Sequence, residues 1–552
     1  MKKSTALILL FFIILSYPFL IKYNYVAHNQ YEQLPLILRY QNPSYLINDW
    51  SLNLNAHFSP RIFFTAYMAI LGEIISLPLV YFIHYIISIA LITLATFLFS
   101  SLFLNSNLIS LLTTLVILYG EKITLGGNDL VGRDFDPSRP AFSLAILGFV
   151  LLLKNKTSWG ALLFALAAYF HPLIGIEAPL IFYLAFIFVL KKNGDKLRQV
   201  LKSIFLYVFF SLPSIVVYIL SFLSQNHIET NKTILLEIIA KIASPFHYLP
   251  SAWPISHYLL FGSLVLLSLC FFKLVPNQFN KETKVTVRNL ILIISVLCMI
   301  SFVFTEYIPV YFIVITQLFR MTVILYWLFA VILYSACFAI ALNPKINVFL
   351  RFLASSLPLI LSQLNKIIVP GLSHFLFIVI VIIISIILVV KSLNRFRNIV
   401  VFLALLSLSI LYRHYPFQYD TLYPFMNSET KVALWVKNNI NIYSQFLIPP
   451  DFIRFRLIAE KPIIVDRLVI PFEEKGIIQW LERMNDISGS KINRYDSDND
   501  NLFIEGYKKM DMERLRVLKT KYNFEFLVME KTHQFPLPLI YSDSDYAIYA
   551  VK

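Results

Sequence analysis

The chain has 552 residues, of which 58% are hydrophobic and 14% charged, with a formal net charge of +15. Soluble domains carry about 25% charged residues, and here apolar runs of roughly 20 residues recur to about residue 413, so an ordinary soluble protein is excluded in favour of a polytopic helical membrane protein. Much of the positive excess sits in short loops between apolar runs, where Lys and Arg set topology, which argues against a nucleic-acid partner; Cys270, Cys298 and Cys337 all lie inside apolar runs and exclude a disulfide framework or a cysteine-based zinc site.

Met1-Lys2-Lys3 and the apolar run 6–21 read as an uncleaved first span with a cytoplasmic N-terminus. Tyr23, Tyr25 and His28 fill the region where a small-x-small cleavage site would stand. Residues 22–60 form a polar, aromatic loop with Asp49-Trp50 and His57, and Arg61 follows. The stretch 62–77 is apolar, carries Glu73 and is bounded by Pro60 and Pro78, so it either crosses or lies flat. Charge decides between these. Lys191, Lys192, Lys196, Arg198 and Lys202 must face the cytoplasm. Counting back puts His171-Pro172 outside, Lys154 and Lys156 inside, and residues 120–139 outside, which requires 62–77 to lie flat.

Further spans are predicted at about 78–104, 107–119, 140–153, 157–171, 173–190, 203–224, 257–274, 289–305, 321–342, 352–369, 372–391 and 398–413, about 13 with the first. The outer loop 225–256 holds His247. Glu306 is also outside, and 309–317 is a partial or re-entrant helix that delivers Arg320 to the outer end of the next span. Lys273, Lys281, Lys284 and Arg288, then Lys345 and Arg351, then Lys391, Arg395 and Arg397 fall inside.

From Arg413 the character changes. Residues 1–414 form the membrane domain, with outer loops 22–77 and 120–139, and 415–552 form an extracytoplasmic α/β domain. Strand-like runs appear at 446–448, 462–465, 524–528 and 546–551, and helical periodicity at 429–438, 473–484 and 510–522. Residues 488–501 read as a flexible loop. Its Asp496, Asp498 and Asp500 alternate as in a calcium loop but lack the required Gly and distal Glu. No internal repeat is visible, which counts against a secondary transporter.

The densest polar stretch is 126–139, GGNDLVGRDFDPSR, with Asp129, Arg133, Asp134, Asp136 and Arg139 between apolar runs. Topology gathers these with Asp49, His171, Glu177, His247 and Arg320 at one face, and ionisable groups among membrane segments usually serve function. Blander roles exist for most of them. Asp49 can cap the following helix. Asp134, Asp136 and Ser138 can cap a helix starting near Pro140, with Arg133 and Arg139 pairing to the aspartates, and Arg320 can snorkel. Glu177 follows Gly175 in an apolar run and needs a partner such as Arg133 or Arg139. An enzyme at this face needs a base and a cation for a leaving phosphate. Asp49 fits the first role and Arg320, whose planar fork suits phosphate oxygens, the second. Asp129, Asp134 and Asp136 can hold a divalent metal, Mg or Mn, although Arg133 competes for the same carboxylates. Arg133, Arg139, His171, Glu177 and His247 then line or support the cavity.

This layout resembles the GT-C class of membrane glycosyltransferases, which includes oligosaccharyltransferase catalytic subunits, protein O-mannosyltransferases and bacterial aminoarabinose transferases. The resemblance rests on a first span, a long outer loop with an acid (Asp49), a flat helix, a second outer loop with acids (Asp129 through Asp136) and a C-terminal outer domain. GRDFDPSRPAF at 132–142, AYFHPLIGI at 168–176 and QLFRM at 317–321 also resemble segments of bacterial membrane proteins with this layout. It implies a polyprenyl-phosphate sugar donor and membrane lipid as partners, with an acidic catalytic residue at Asp49 and a phosphate-binding arginine at Arg320. The Trp-Trp-Asp motif of oligosaccharyltransferases is absent, and the first-loop acid is Asp49-Trp50 instead of a paired Asp-Glu, which disfavours protein N-glycosylation. The competing reading is a non-catalytic membrane protein, a transporter or a scaffold with an external binding domain.

Overall fold

The computed structural model describes residues 2–57, 59–120, 124–190, 194–223, 231–276, 278–363, 372–396, 398–410, 417–419, 426–492 and 499–551. Lys191, Lys192, Arg397, Arg413, Asp496 and Asp498 lie outside the described residues. Helices form where the apolar runs predict them. Among the described residues, Lys3–Leu20, Leu77–Leu104, Gly194–Ser221, Ile255–Leu274, Lys281–Glu306 and Tyr311–Leu342 are long and apolar enough to cross a bilayer, and further apolar helices are shorter over the residues described. These give six spans by length and composition, against the roughly 13 expected.

Lys281–Glu306 starts earlier than predicted because Asn280 accepts from the Thr283 amide at 2.7 Å and caps the helix on its basic stretch. The stretch expected to lie flat is the helix Ile62–Ile74, whose 13 residues reach only about 20 Å. The first outer loop contains two more helices, Gln30–Gln41 and Trp50–His57.

The bundle is built around Thr322–Leu342, which is buried along nearly its whole length. Its few polar atoms find partners, as an apolar interior requires. Ser335 Oγ lies 2.8 Å from Ser100 Oγ and 3.1 Å from Thr113 Oγ1, and Trp327 Nε1 donates to Thr96 Oγ1 at 3.0 Å. Arg320 sits one turn before this helix, so a rigid post carries it.

Gly175 sets a second fixed point. A Cβ there would stand 2.2 Å from the Cα and 2.3 Å from the amide nitrogen of Ala168, backbone atoms of the helix Thr157–Phe170. This close approach locks the corner that holds His171. Gly175→Ala is expected to destabilise the protein by about 1–3 kcal/mol, read as a lowered thermal unfolding midpoint in detergent.

The C-terminal sheet has the order β1-β2-β4-β3, with β1 at Phe446–Leu447, β2 at Phe526–Glu530, β3 at Leu539–Ser542 and β4 at Tyr546–Ala550. β1 and β2 run parallel; β2–β4 and β3–β4 are antiparallel. The predicted run 462–465 contributes a single bridge, Ile463 to Phe446. β3 escaped prediction because this short edge strand buries no residue fully. The loop expected at 488–501 is shorter at its C-terminal end, where the helix Asn499–Lys508 begins.

The α/β domain does not close its core alone. Ile477, Trp480 and Met484 share one apolar cluster with Leu235, Ile238 and Ala240 and with Tyr311 and Val314 of the membrane domain. Around that contact Lys232 pairs with Glu474, the Phe472 amide donates to Asn55 Oδ1 at 2.9 Å, and the Arg483 guanidinium lies 4.2 Å from the Trp50 ring centre.

Candidate functional site

The loop before the helix Ser138–Leu153 lies in a mesh of backbone and side-chain bonds. Gly126 and Gly127 take positive φ angles of 83° and 64°, which make the tight turn there. Thr322 Oγ1 donates to the Leu125 carbonyl at 2.8 Å, tying the turn to the central post. The Asn24 amide donates to the Arg133 carbonyl at 2.7 Å, and Gln30 Nε2 to the Phe135 carbonyl at 2.7 Å, which joins the first outer loop to the second. Tyr85 donates to the Gly132 carbonyl at 2.8 Å.

Between these loops lies a cleft of about 240 Å³. Asp129, Asp134, Asp136, Arg139, His171, His247 and Arg320 line it, together with His28, Asn29, Arg61 and Asn128. The first seven were predicted site residues. The last four were not, although His28 and Arg61 lie in or beside the first outer loop and topology alone put them at this face.

The carboxylates are largely committed. Asp134 pairs with Arg139 Nη1 at 2.9 Å and lies 3.6 Å from His28 Nδ1. Asp136 accepts from the Ser138 amide at 2.9 Å, from Ser138 Oγ at 2.6 Å and from Asn29 Nδ2 at 2.9 Å. Burial would raise both acids, but Arg139, with His28 for Asp134 and Ser138 for Asp136, outweighs it and holds them below the ordinary carboxylate range. Asp129 is exposed at the rim. Among the described residues, no group of three or more His, Cys, Asp or Glu is arranged to hold a metal ion. The expected trio of Asp129, Asp134 and Asp136 therefore does not form a ligand set, because Arg139 and the Ser138 cap take the oxygens a metal would need.

Arg320 follows Gln317, whose left-handed φ of 52° turns the chain into the short 3-10 stretch Leu318–Met321. Its Nη1 lies 2.8 Å from His171 Nε2, and its Nε has no hydrogen-bond partner among the described residues. Burial, then the charges of Arg320 and Arg61, pushes His171 well below the usual imidazole range, so it is neutral and accepts from Arg320 at Nε2. His247 is pushed down by burial and Arg320. His28 moves the other way, because the Asp134 carboxylate 3.6 Å away raises it.

Asp49 is not at the cleft. It is fully buried at the junction with the α/β domain. One carboxylate oxygen accepts from Ser51 Oγ at 2.9 Å and caps the helix Trp50–His57 through the Leu52 amide at 3.0 Å. The other accepts from Arg456 Nε at 2.9 Å and the Ile463 amide at 3.3 Å, and Arg456 Nη1 pairs with Asp466 at 2.6 Å. The expectation that Asp49 and Arg320 share one substrate is therefore not met by their positions. Arg133 turns away from the cleft, its Nε donating to the Lys22 carbonyl at 3.1 Å. Glu177 is buried and pairs with neither Arg133 nor Arg139. Both its oxygens lack a hydrogen-bond partner among the described residues, and Arg320 is the cation whose field reaches it.

Residues 427–487 match the model of a domain of unknown function, DUF6798. No curated protein sequence matches the chain. Among solved structures, ArnT from Cupriavidus metallidurans bound to undecaprenyl phosphate aligns with a TM-score of 0.54 and 11% identity, covering 100% of this chain and 98% of that one. The apo state of the same protein aligns with a TM-score of 0.50 and 9% identity over the same shares. An Archaeoglobus fulgidus oligosaccharyltransferase tethered to an acceptor peptide aligns with a TM-score of 0.46 and 13% identity, over 96% of this chain and 69% of that one. The chain thus has a GT-C-like architecture: a polytopic helical membrane domain followed by a small α/β domain.

Proposed function

We propose that this protein is a membrane glycosyltransferase that moves a sugar from a polyprenyl-phosphate carrier to an envelope acceptor at the outer face of a bacterial inner membrane. The carrying observation is Arg320. It lines the cleft just before the rigid central post, with Nη1 on a neutral histidine. An arginine with spare donors in a half-buried polar cleft suits a phosphate. Arg61, paired with Glu32, and His28, facing Asp134, line the same cleft. Full-length likeness in fold to a protein solved with undecaprenyl phosphate supports the same class of ligand. The basic residues 281–288 and 345–351 lie at the helix ends opposite the cleft, which supports an outward-facing site. In this reading Asp129, Asp134, Asp136 and Arg139 shape the wall, and Asp49 is a positioning residue that pins the α/β domain above it.

The test is a titration of the purified full-length protein in detergent with undecaprenyl phosphate, followed by a transfer assay with undecaprenyl-phosphate-linked sugars. Saturable binding and transfer are expected; absence of both overturns the reading. Binding without transfer of any sugar supports instead a non-catalytic scaffold, which the removal of Asp49 from the cleft favours.

His28 makes the binding pH-dependent. Its raised pKa means that the His28–Asp134 contact is complete below about pH 6.5 and is lost as pH rises through the higher folded value. Raising the pH through that folded value removes one positive charge from the cleft mouth. This is expected to weaken undecaprenyl phosphate binding by about two- to five-fold, given the small worth of exposed charges. In His28→Asn that component of the pH dependence should disappear.

A further inference from the structure

The cleft holds three imidazoles, and the hydrogen bonds assign each a different state. His28 is exposed and lies 3.6 Å from Asp134, which favours its protonated form. His171 has its Nε2 filled by Arg320 Nη1, and its Nδ1 lies 3.4 Å from the Ile174 amide. His247 differs from both. Its Nδ1 lies 2.9 Å from the Gly126 carbonyl, which can only accept, so Nδ1 carries the proton. Nε2 is then a bare lone pair, with no hydrogen-bond partner among the described residues, on a side chain that lines the cleft.

The ring is held in place from several sides. It packs on the Gly126–Gly127 turn, where a Cβ on Gly127 would stand 3.6 Å from His247 Cε1. Its short helix Pro245–Tyr248 is braced by Trp253 Nε1, which donates to the Phe246 carbonyl at 2.7 Å. Trp253 in turn meets Phe319, next to Arg320, edge-on at 4.9 Å. The same scaffold therefore brings His247, whose Nε2 has no partner among the described residues, and Arg320 to the wall of one cavity. The first-loop acid, Asp49, is spent on Arg456, and Asp134 and Asp136 are spent on Arg139 and Ser138.

We propose that His247 is the catalytic base of the transfer, with Nε2 taking the proton from the acceptor hydroxyl. This inference rests on the glycosyl-transfer reading above. The acceptor oxygen forms a bond to the anomeric carbon while the bond from that carbon to the phosphate oxygen breaks. The electron pair leaves with the polyprenyl phosphate, whose added negative charge falls to Arg320, and the acceptor proton ends on His247 Nε2. A base fixed in one tautomer by a backbone carbonyl is the arrangement this role requires.

His247→Asn keeps an amide donor for the Gly126 carbonyl and removes the base. With undecaprenyl-phosphate-linked sugars as donors and the wild-type protein as reference, kcat should fall by about 10²–10⁴-fold. Undecaprenyl phosphate affinity should stay within about threefold, by the argument that a base acts on the reacting proton and not on carrier binding. In His247→Ala, added imidazole should restore part of the rate, which a merely structural histidine would not show. A His247→Asn protein with wild-type kcat overturns the proposal and leaves glycosyl transfer standing with another base. A wild-type protein that transfers no sugar overturns both.

Discussion

Arg456→Met is expected to destabilise the protein by about 3–5 kcal/mol, the cost of stripping the partner from a buried ion pair. The side chain sits between two aspartates of different domains, Asp49 in the first outer loop and Asp466 in the α/β domain, and all three are buried. Arg456 also donates to Ser51 Oγ at 3.1 Å, so both charges and the cap of the helix Trp50–His57 depend on it. Methionine fills the space and leaves two carboxylates facing each other without a cation. The unfolding midpoint in detergent should drop sharply, and limited proteolysis should cut at the junction of the two domains. An unchanged midpoint would mean that the triad does not hold the domains together.

Asp49→Asn separates the two roles assigned to that residue. The amide oxygen can still accept from Leu52, so part of the cap survives, while the ion pair with Arg456 is lost. Stability is expected to fall, with transfer per folded molecule held within a few-fold. If the variant kept wild-type stability and lost transfer about 10²-fold, the scale of a lost general base, Asp49 would be the base.

Arg320→Gln is expected to weaken undecaprenyl phosphate binding by about 10- to 100-fold, the worth of a hydrogen bond to a charged group at about 1.5–3 kcal/mol. Glutamine can still offer a donor to His171, so the cleft wall should survive and thermal stability should change little. Arg320→Lys restores the charge without the planar fork and should fall between the two. The measurement is the same carrier titration, with kcat/KM for transfer beside it. A glutamine variant that binds the carrier like the wild type would remove the phosphate from Arg320.

Much of the fold was legible because its signals are local. Runs of apolar residues bounded by Pro, Asn and Lys marked the helix positions, often to within a few residues, as at Leu77–Leu104 and Asn107–Tyr119. The positive-inside count gathered His171, His247, Arg320 and the 126–139 loop at one face, and the cleft does contain them. His28 and Arg61 were within sight of the same count, but a histidine read as part of a missing cleavage site and an arginine read as a loop edge carried no mark of a cleft.

Sequence by itself determined the membrane class, the helical layout and the end of the bundle that collects polar groups, because hydropathy and charge act residue by residue along the chain. It offered pairings without deciding among them, since the decision also depends on contacts between residues far apart in the chain. Asp49 looks free in sequence and is taken by Arg456, 407 residues away. Asp134 and Asp136 read in sequence either as metal ligands or as partners of Arg139 and Ser138, and the fold gives them to the latter, with Asn29, 107 residues away, added on Asp136. His247 looks like one polar residue of a loop, yet a single carbonyl at Gly126, 121 residues away, fixes its proton and leaves the other nitrogen open. Tertiary packing decided which of these side chains keep a lone pair or an N–H unspent, and only unspent groups are available to a substrate.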